Sequence, residues 1–245
     1  MLKQKYFLTD FFILSAEKQP IKLSWRNIEW LLCFVPWKLR RLLLNKFFHY
    51  EIHPTARIGL SYIYPRKLKM EAYSTIGHLN VAIHLNYIEM QENSCISQKN
   101  WITGFPTHTK SKHFSHDLKR KSELILGKES AITKNHHIDC TNSIIIGSYT
   151  TIAGYSSQLL THSIDIYEGR QDSKPITIGD YCFISTRVII LGGSKLPSFS
   201  VLGAGALLNK TYEEEWKLYA GVPAKVIKEI PREAKYFNRS KGFIY

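Results

Sequence analysis

Residues 178 to 208 read IGDYCFISTRVIILGGSKLPSFSVLGAGALL, and an aliphatic side chain returns at every sixth position: Ile178, Ile184, Ile190, Leu196, Leu202 and Leu208. An α-helix repeats its apolar face every 3.6 residues and a half-buried strand every 2, so a sustained beat of 6 requires a recurring unit of one short strand and one turn. That unit predicts a parallel β-helix. The residue two before each anchor is small or short, at Cys182, Val188, Ser194, Ser200 and Ala206. Each unit therefore carries two inward positions, a long aliphatic for the core and a small residue where the chain turns a corner. Gly179 and Gly203 directly follow their anchors, where a turn or a close backbone approach favours glycine.

Working outward, the beat weakens but persists. Ile52 and Ile58 form one pair, Met90, Ile96 and Ile102 a run, and Leu126, Ile132, Ile138 and Ile144 another, with Gly127 behind its first member. A slip of two residues resets the phase to Ile146 and Ile152, Gly147 follows, and Gln158 takes the next anchor slot. Between residues 60 and 88 only Met70, Ile76 and Gly77 fit, and the spacing assigns no coil there. The chain of 245 residues thus divides into an N-terminal segment (1–50), one elongated all-β domain (51–210) with insertions near 104–123 and 163–175, and a tail (211–245) expected to be helical.

Cys33, Cys95, Cys140 and Cys182 show no paired spacing, which speaks against a metal cage or a disulfide framework. A net charge of +13 suits polyanions, yet no recognition helix, zinc finger or aromatic RNA-binding signature accompanies it, so nucleic acid is not an expected partner. The excess lies at residues 38–46, at 110–121 and in the tail, where anionic lipid headgroups or phosphorylated substrates explain it as well. The chain shows no cleavable leader, and a cytoplasmic location is expected. Residues 25–48, WRNIEWLLCFVPWKLRRLLLNKFF, are too charged and too interrupted by Pro36 to span a bilayer. Two readings stand for them: a cap over the open end of the β-helix, or a segment lying on the inner face of the cytoplasmic membrane.

Two histidines break the inward rule. His136 and His162 occupy the small-residue slot, where an imidazole fits badly, so either the coil opens or the ring turns outward to serve in proton transfer. His162 stands where the repeat gives way to the loop THSIDIYEGRQDSKP, and functional residues gather at such exits. Asp165, three residues on, is a candidate to orient its ring, with an ordinary turn as the alternative. His136 and His137 fall beside Ser156 and Ser157 of the neighbouring coil, either lining a cleft or packing, and Asp139 has the same standing. His108, His113 and His116 lie among lysines in the loop 104–123, which disfavours a bound cation and predicts a flexible basic loop.

Over residues 146–228 the chain resembles the hexapeptide-repeat acyltransferases with a left-handed β-helix. The resemblance rests on IGSYTTIAGYSSQLLTHSID, PITIGDYCFISTRVIILGGSKLPSFSVLGAGALLNK and YAGVPAKVIKE, with a weaker match at IHPTARIG. It implies a homotrimer that takes an acetyl group from acetyl-CoA and passes it to a sugar hydroxyl, with His162 as general base and no resident metal. It implies further that the coenzyme runs past Ser185, Gly203, Ala204 and Gly205 and sets its phosphates near Lys210 and Pro223, Ala224 and Lys225. The acceptor implied is a surface polysaccharide, its lipid-linked precursor or a nucleotide sugar. The chain departs from the pattern at Cys182, where a tryptophan is common, and at Ser185, where glycine is usual. Two alternatives from other classes are a β-helix zinc carbonic anhydrase and a non-catalytic glycan-binding trimer.

Overall fold

The computed structural model describes residues 29, 31–109 and 111–244. Successive coils wind through three parallel sheets, so each strand pairs with its counterpart one coil away. The first sheet runs from Glu51–Ile52 to Lys195–Leu196 and the third from Tyr62–Tyr64 to Leu207–Leu208, with seven strands each. The second begins at Arg57–Ile58 and has nine strands, the last two from the tail. Inward aliphatics stack along the axis: Ile146 lies level with Ile178, Ile152 with Ile184, and Leu159 with Ile190. All six are at most 1% exposed. Burying each such side chain contributes roughly 1.5–3 kcal/mol, and a parallel sheet covered by no helix depends on that column.

The corners explain the rest of the beat. Ser74, Ser94 and Ser130 turn their hydroxyls back onto carbonyls of their own turns, at 2.7 Å each, so a small polar residue is buried without an orphaned group. The Gly127, Gly147, Gly179 column meets the close-approach condition: a Cβ at any of them would lie 2.4–2.5 Å from the coil above. Tyr149, Tyr181, Phe199 and Trp216 adopt left-handed backbone (φ +55, +53, +55 and +59) at one corner. Their rings stack at 4.6, 5.3 and 4.5 Å, a favourable contact that offsets part of the cost of that backbone.

Three expectations change. Residues 60–88 are continuous coil, with Ile63, Leu68, Met70, Ile76, Ala82 and Ile88 buried. Spacing missed them because the corner lengths vary while the sheet register does not. The slip at Ile146 is such a corner, two residues longer from Ile138 to Ile146 than from Ile190 to Leu196. Gln158 is not an anchor: it is exposed, and Leu159 fills the core, because one extra residue enters the preceding turn around Gly154 (φ +71). The tail, finally, is mostly β. Lys217–Ala220 and Lys225–Glu229 form an antiparallel hairpin on the second sheet, and helical structure is confined to a 3-10 turn at Lys235–Asn238. Tyr219 and Ala224 close that end of the core, and the chain returns along the outside, where the Tyr236 hydroxyl donates to Cys182 O at 2.9 Å.

At the other end helix α1 (Trp37–Phe47) begins directly after Pro36, whose fixed φ and missing N–H suit a helix start. Leu32 and Leu44 seal the first coil. Arg40 is 2% exposed, donating from Nη1 to Gly59 O (3.0 Å) and from Nη2 to Ser61 O (2.8 Å). The capping reading holds for the described part, while residues 1–28 and Trp30 lie outside it. Arg40→Ala would strip Gly59 O of its donor and leave Ser61 O with only the weak Cys33 thiol at 3.4 Å, and is expected to cost about 3 kcal/mol of stability, read by chemical denaturation.

Candidate active site

The third sheet ends at a corner where the chain leaves the coil. Gln158–Leu160 is followed by Thr161, and His162–Asp165 pairs antiparallel with Arg170–Ser173, so the loop after His162 is a β-hairpin. Its base is pinned by the Lys174 amide donating to Thr161 O at 2.9 Å. His162 therefore projects sideways from the end of the sheet instead of entering the core, which resolves the misfit of an imidazole in an inward slot.

Asp139, one coil earlier on the outer face of His137–Asp139, is the partner of this ring. Its Oδ2 lies 3.5 Å from His162 Nδ1. Oδ1 accepts from the Thr141 amide (2.9 Å) and hydroxyl (2.7 Å), which fixes the carboxylate in place. Burial would raise the Asp139 carboxyl, but the bonds from His162 and Thr141 outweigh it and hold it below the usual range. The Asp139 hydrogen bond in turn raises the imidazole above its ordinary value against partial burial, and Gln171 adds to it. Gln171 Oε1 stands 2.7 Å from His162 Nε2. With oxygens at both nitrogens, the arrangement suits the imidazolium; on deprotonation Nε2 keeps a lone pair while Nδ1–H still faces Asp139.

Asp165 does not orient the ring. It lies three residues from His162 on the same strand, hence on the opposite face, and its Oδ1 accepts from the Tyr167 and Glu168 amides at 3.0 and 3.2 Å. It is the turn-forming aspartate. His136 is no acid or base in the open either: it is 2% exposed and burial lowers it to about 4. It belongs to a ladder in which each side chain accepts the amide of the same position one coil on. The amides of Asn80, Asn100, His136 and Ser157 go to Ser61 Oγ, Asn80 Oδ1, Asn100 Oδ1 and His136 Nδ1. An imidazole fits that slot because its Nδ1 replaces an asparagine oxygen. His137, the next residue, is exposed on the outer face of the third sheet.

The described part of the insertion, 104–109 and 111–123, is anchored on this corner through Phe114 and Arg120, while most of its middle is exposed. Arg120, 7% exposed, donates to Phe105 O, Thr141 O and Pro106 O. Its guanidinium lies 4.6 Å from the ring centre of Phe114, which meets His162 edge-on at 5.9 Å. His108, His113 and His116 are exposed on the loop. Among the described residues no group of three His, Cys, Asp or Glu is placed to hold a metal ion.

The expected coenzyme residues separate into two kinds. Gly203 and Ala224 are packing positions: a Cβ on Gly203 would lie 2.8 Å from Ala220 Cβ, and Ala224 is buried with its amide bonded to Leu207 O. Ala204, Gly205, Lys210, Pro223 and Lys225 are exposed and Ser185 partly so. A Cβ built on Gly205 (φ +68) meets nothing within 4 Å, so a ligand can approach the backbone there. The corner of Ser185, Ala204 and Gly205 precedes the strands of the third sheet, whereas His162 and Lys210 follow them, on the opposite side of that sheet.

Neither Gln171, which meets His162 directly, nor Arg120, which backs the Phe114 ring that meets it, was legible as a site residue, because each is placed by a turn whose path the repeat does not encode. Asp139 carried a weak signal in its outward parity one coil from the exit. Gln171→Ala is expected to shift the titration midpoint of His162 downward, since it removes one bond favouring the imidazolium. Histidine NMR titration measures this; an unmoved or raised midpoint would refute the pairing.

No family model matches the chain. A stretch of 69 residues, 28% of the chain, is 38% identical to the galactoside O-acetyltransferase of Escherichia coli, and the match spans 34% of that enzyme, about a third of its length. Among solved structures a polysialic acid O-acetyltransferase superposes with a TM-score of 0.54 at 16% identity, over 74% of this chain and 84% of that one. A hexapeptide-repeat acetyltransferase from Vibrio cholerae is 26% identical over 44% of this chain and 63% of that one, with a TM-score of 0.42. The sixfold repeat, the three stacked sheets and the superposition at 0.54 together make the chain a hexapeptide-repeat protein of the left-handed β-helix fold.

Proposed function

We propose that this protein transfers an acetyl group from acetyl-CoA to a sugar hydroxyl with His162 as general base. The observation that carries the reading is the His162 and Asp139 pair at the exit of the coil, with Nε2 turned toward the hairpin and away from the core. The stretch shared with galactoside O-acetyltransferase supports the reaction class. The acceptor oxygen attacks the thioester carbonyl while its proton passes to Nε2, displacing the Gln171 contact. Collapse of the tetrahedral intermediate breaks the C–S bond, and the imidazolium returns the proton to the departing thiolate, so no acyl-enzyme forms. Asp139 stabilises the imidazolium between the two steps.

The exposed corner of Ser185, Ala204 and Gly205 leaves room for a pantetheine arm, and Lys210 and Lys225 suit phosphates. Since that corner and His162 lie on opposite sides of the third sheet, the proposed site is completed by a second copy of the chain, as a homotrimer provides. The test is acetyl transfer to a panel of sugars and polysaccharide fragments, comparing the native chain with His162→Ala. Loss of transfer with retained coenzyme binding supports the reading; absence of coenzyme binding by both proteins ends it.

The outward side of α1 supports peripheral contact with an anionic membrane. Leu39, Leu42 and Phe47 are 52–57% exposed there, beside Lys38 and Lys46, and no described helix is long and apolar enough to cross a bilayer. Arg40, being buried, takes no part. Lys38→Glu with Lys46→Glu is expected to abolish co-sedimentation with phosphatidylserine vesicles, and unchanged partitioning would refute the contact.

A further inference from the structure

Beside the His162 and Asp139 pair, the outer face of the third sheet continues as a cleft that proton transfer does not use. It has a volume of about 390 Å³ and is lined by Lys99, Trp101, Asn135, His137, Ser156 and Gln158. Its floor follows from the stacking of coils. Trp101, His137 and Gln158 are in register on consecutive coils, and all three point outward because Ile102, Ile138 and Leu159 beside them point inward. The other wall is the preceding corner, where Lys99, Asn135 and Ser156 adopt left-handed backbone (φ +57, +60 and +58).

The chemistry of this lining is specific. Trp101 is 50% exposed, an indole held on a rigid strand. Around it stand the exposed His137 imidazole, two side-chain amides, the Ser156 hydroxyl and one ammonium, with His136 and Ser157 buried beneath them and no carboxylate. A sugar ring has one apolar C–H face and a rim of hydroxyls, so an aromatic floor with a rim of hydrogen-bonding groups matches it. The lone charge, Lys99, adds a counterpart for a carboxylate. The position matters as much: His137 and Asp139 lie two residues apart on the same face of one strand, about 7 Å, and Asp139 holds His162. A chain of sugars laid along the strand presents one unit to the cleft while its neighbour meets His162.

We propose that this cleft is an acceptor subsite for an acidic glycan, with Trp101 stacked on a sugar ring, His137, Asn135 and Gln158 at its hydroxyls, and Lys99 at its carboxylate. The identity of the neighbouring unit as the acetylated one rests on the proposed acetyltransferase reading, whereas binding in the cleft does not.

The test is calorimetric titration of His162→Ala protein with hexasaccharides of sialic acid, of galacturonate and of neutral maltose units. The acidic hexasaccharides are expected to bind, more weakly as salt rises. Adding Trp101→Thr, which keeps a strand-forming residue, is expected to weaken them about ten-fold. Lys99→Gln is expected to weaken the acidic ligands about ten-fold and leave the neutral one unchanged. The proposal is overturned if none of the hexasaccharides binds, if Trp101→Thr leaves affinity unchanged, or if the neutral ligand binds as well as the acidic ones. It is also overturned if Trp101→Thr dissociates the assembly, because a second copy would then cover this face. Acetyl transfer to a monosaccharide, measured with His162 in place, separates the two readings. Transfer absent throughout with Trp101-dependent hexasaccharide binding intact removes only the acetyltransferase, and transfer present in the native chain with no hexasaccharide binding removes only the subsite.

Discussion

Replacing His162 by alanine is expected to lower kcat/KM for acetyl transfer by about 10²–10⁴, the range over which a positioned general base accelerates such reactions. The loss falls on kcat, since the ring acts on the reacting proton and not on coenzyme binding. Asp139→Asn tests the same geometry from the other side. The asparagine still faces Nδ1 but carries no charge to favour the imidazolium, so the acid limb of the pH profile moves to lower pH and the plateau falls. The sign follows from the raised imidazole: His162 is active when neutral, activity rises with pH through its midpoint, and removing the Asp139 charge lowers that midpoint. Transfer that persists in His162→Ala would require another base, and His137, exposed on the same sheet, is the group to replace next.

A separate result is expected for His136, which serves the fold. Burial lowers its imidazole to about 4, whereas an ordinary histidine in the unfolded chain titrates near 6.5. Between those values the unfolded state holds more protons than the folded one, so stability falls as pH falls, by on the order of 3 kcal/mol across the window. His136→Asn continues the ladder with the residue already used at Asn80 and Asn100, and it removes the titrating group. Denaturation curves taken from about pH 7 to pH 4.5 at one protein concentration should show the extra acid destabilisation in the native chain and not in His136→Asn. Parallel slopes would show that the ring is protonated in the fold. His136→Ala, which leaves the Ser157 amide without its acceptor, is expected to be less stable at every pH.

These two histidines show where a sequence stops informing. Both occupy the same slot of the hexad, two before an anchor, and nothing in the spacing separates them. The difference comes from the neighbours above and below. His136 lies between Asn100 and Ser157, whose backbone and side chain offer it a hydrogen-bonded place. His162 has no such continuation, because the chain departs into the hairpin and hands the ring to Asp139. A similar ambiguity misplaced Asp165, which has the right residue type at a plausible distance along the chain but the wrong strand parity.

What the sequence determined by itself was the repeat: six aliphatics at a spacing of six, small residues at the corners, glycines where coils touch, and an exit at His162. These are local demands, each met within one strand and one turn. What only the tertiary structure decided was the pairing of residues on neighbouring coils, Asp139 with His162 and the column Trp101, His137 and Gln158, together with the path of the insertion that sets Arg120 on Phe114. Corner lengths vary from coil to coil while the sheets keep their register. A one-residue difference in a turn therefore changes which side chains stack, and only the hydrogen-bonded sheets restore the count.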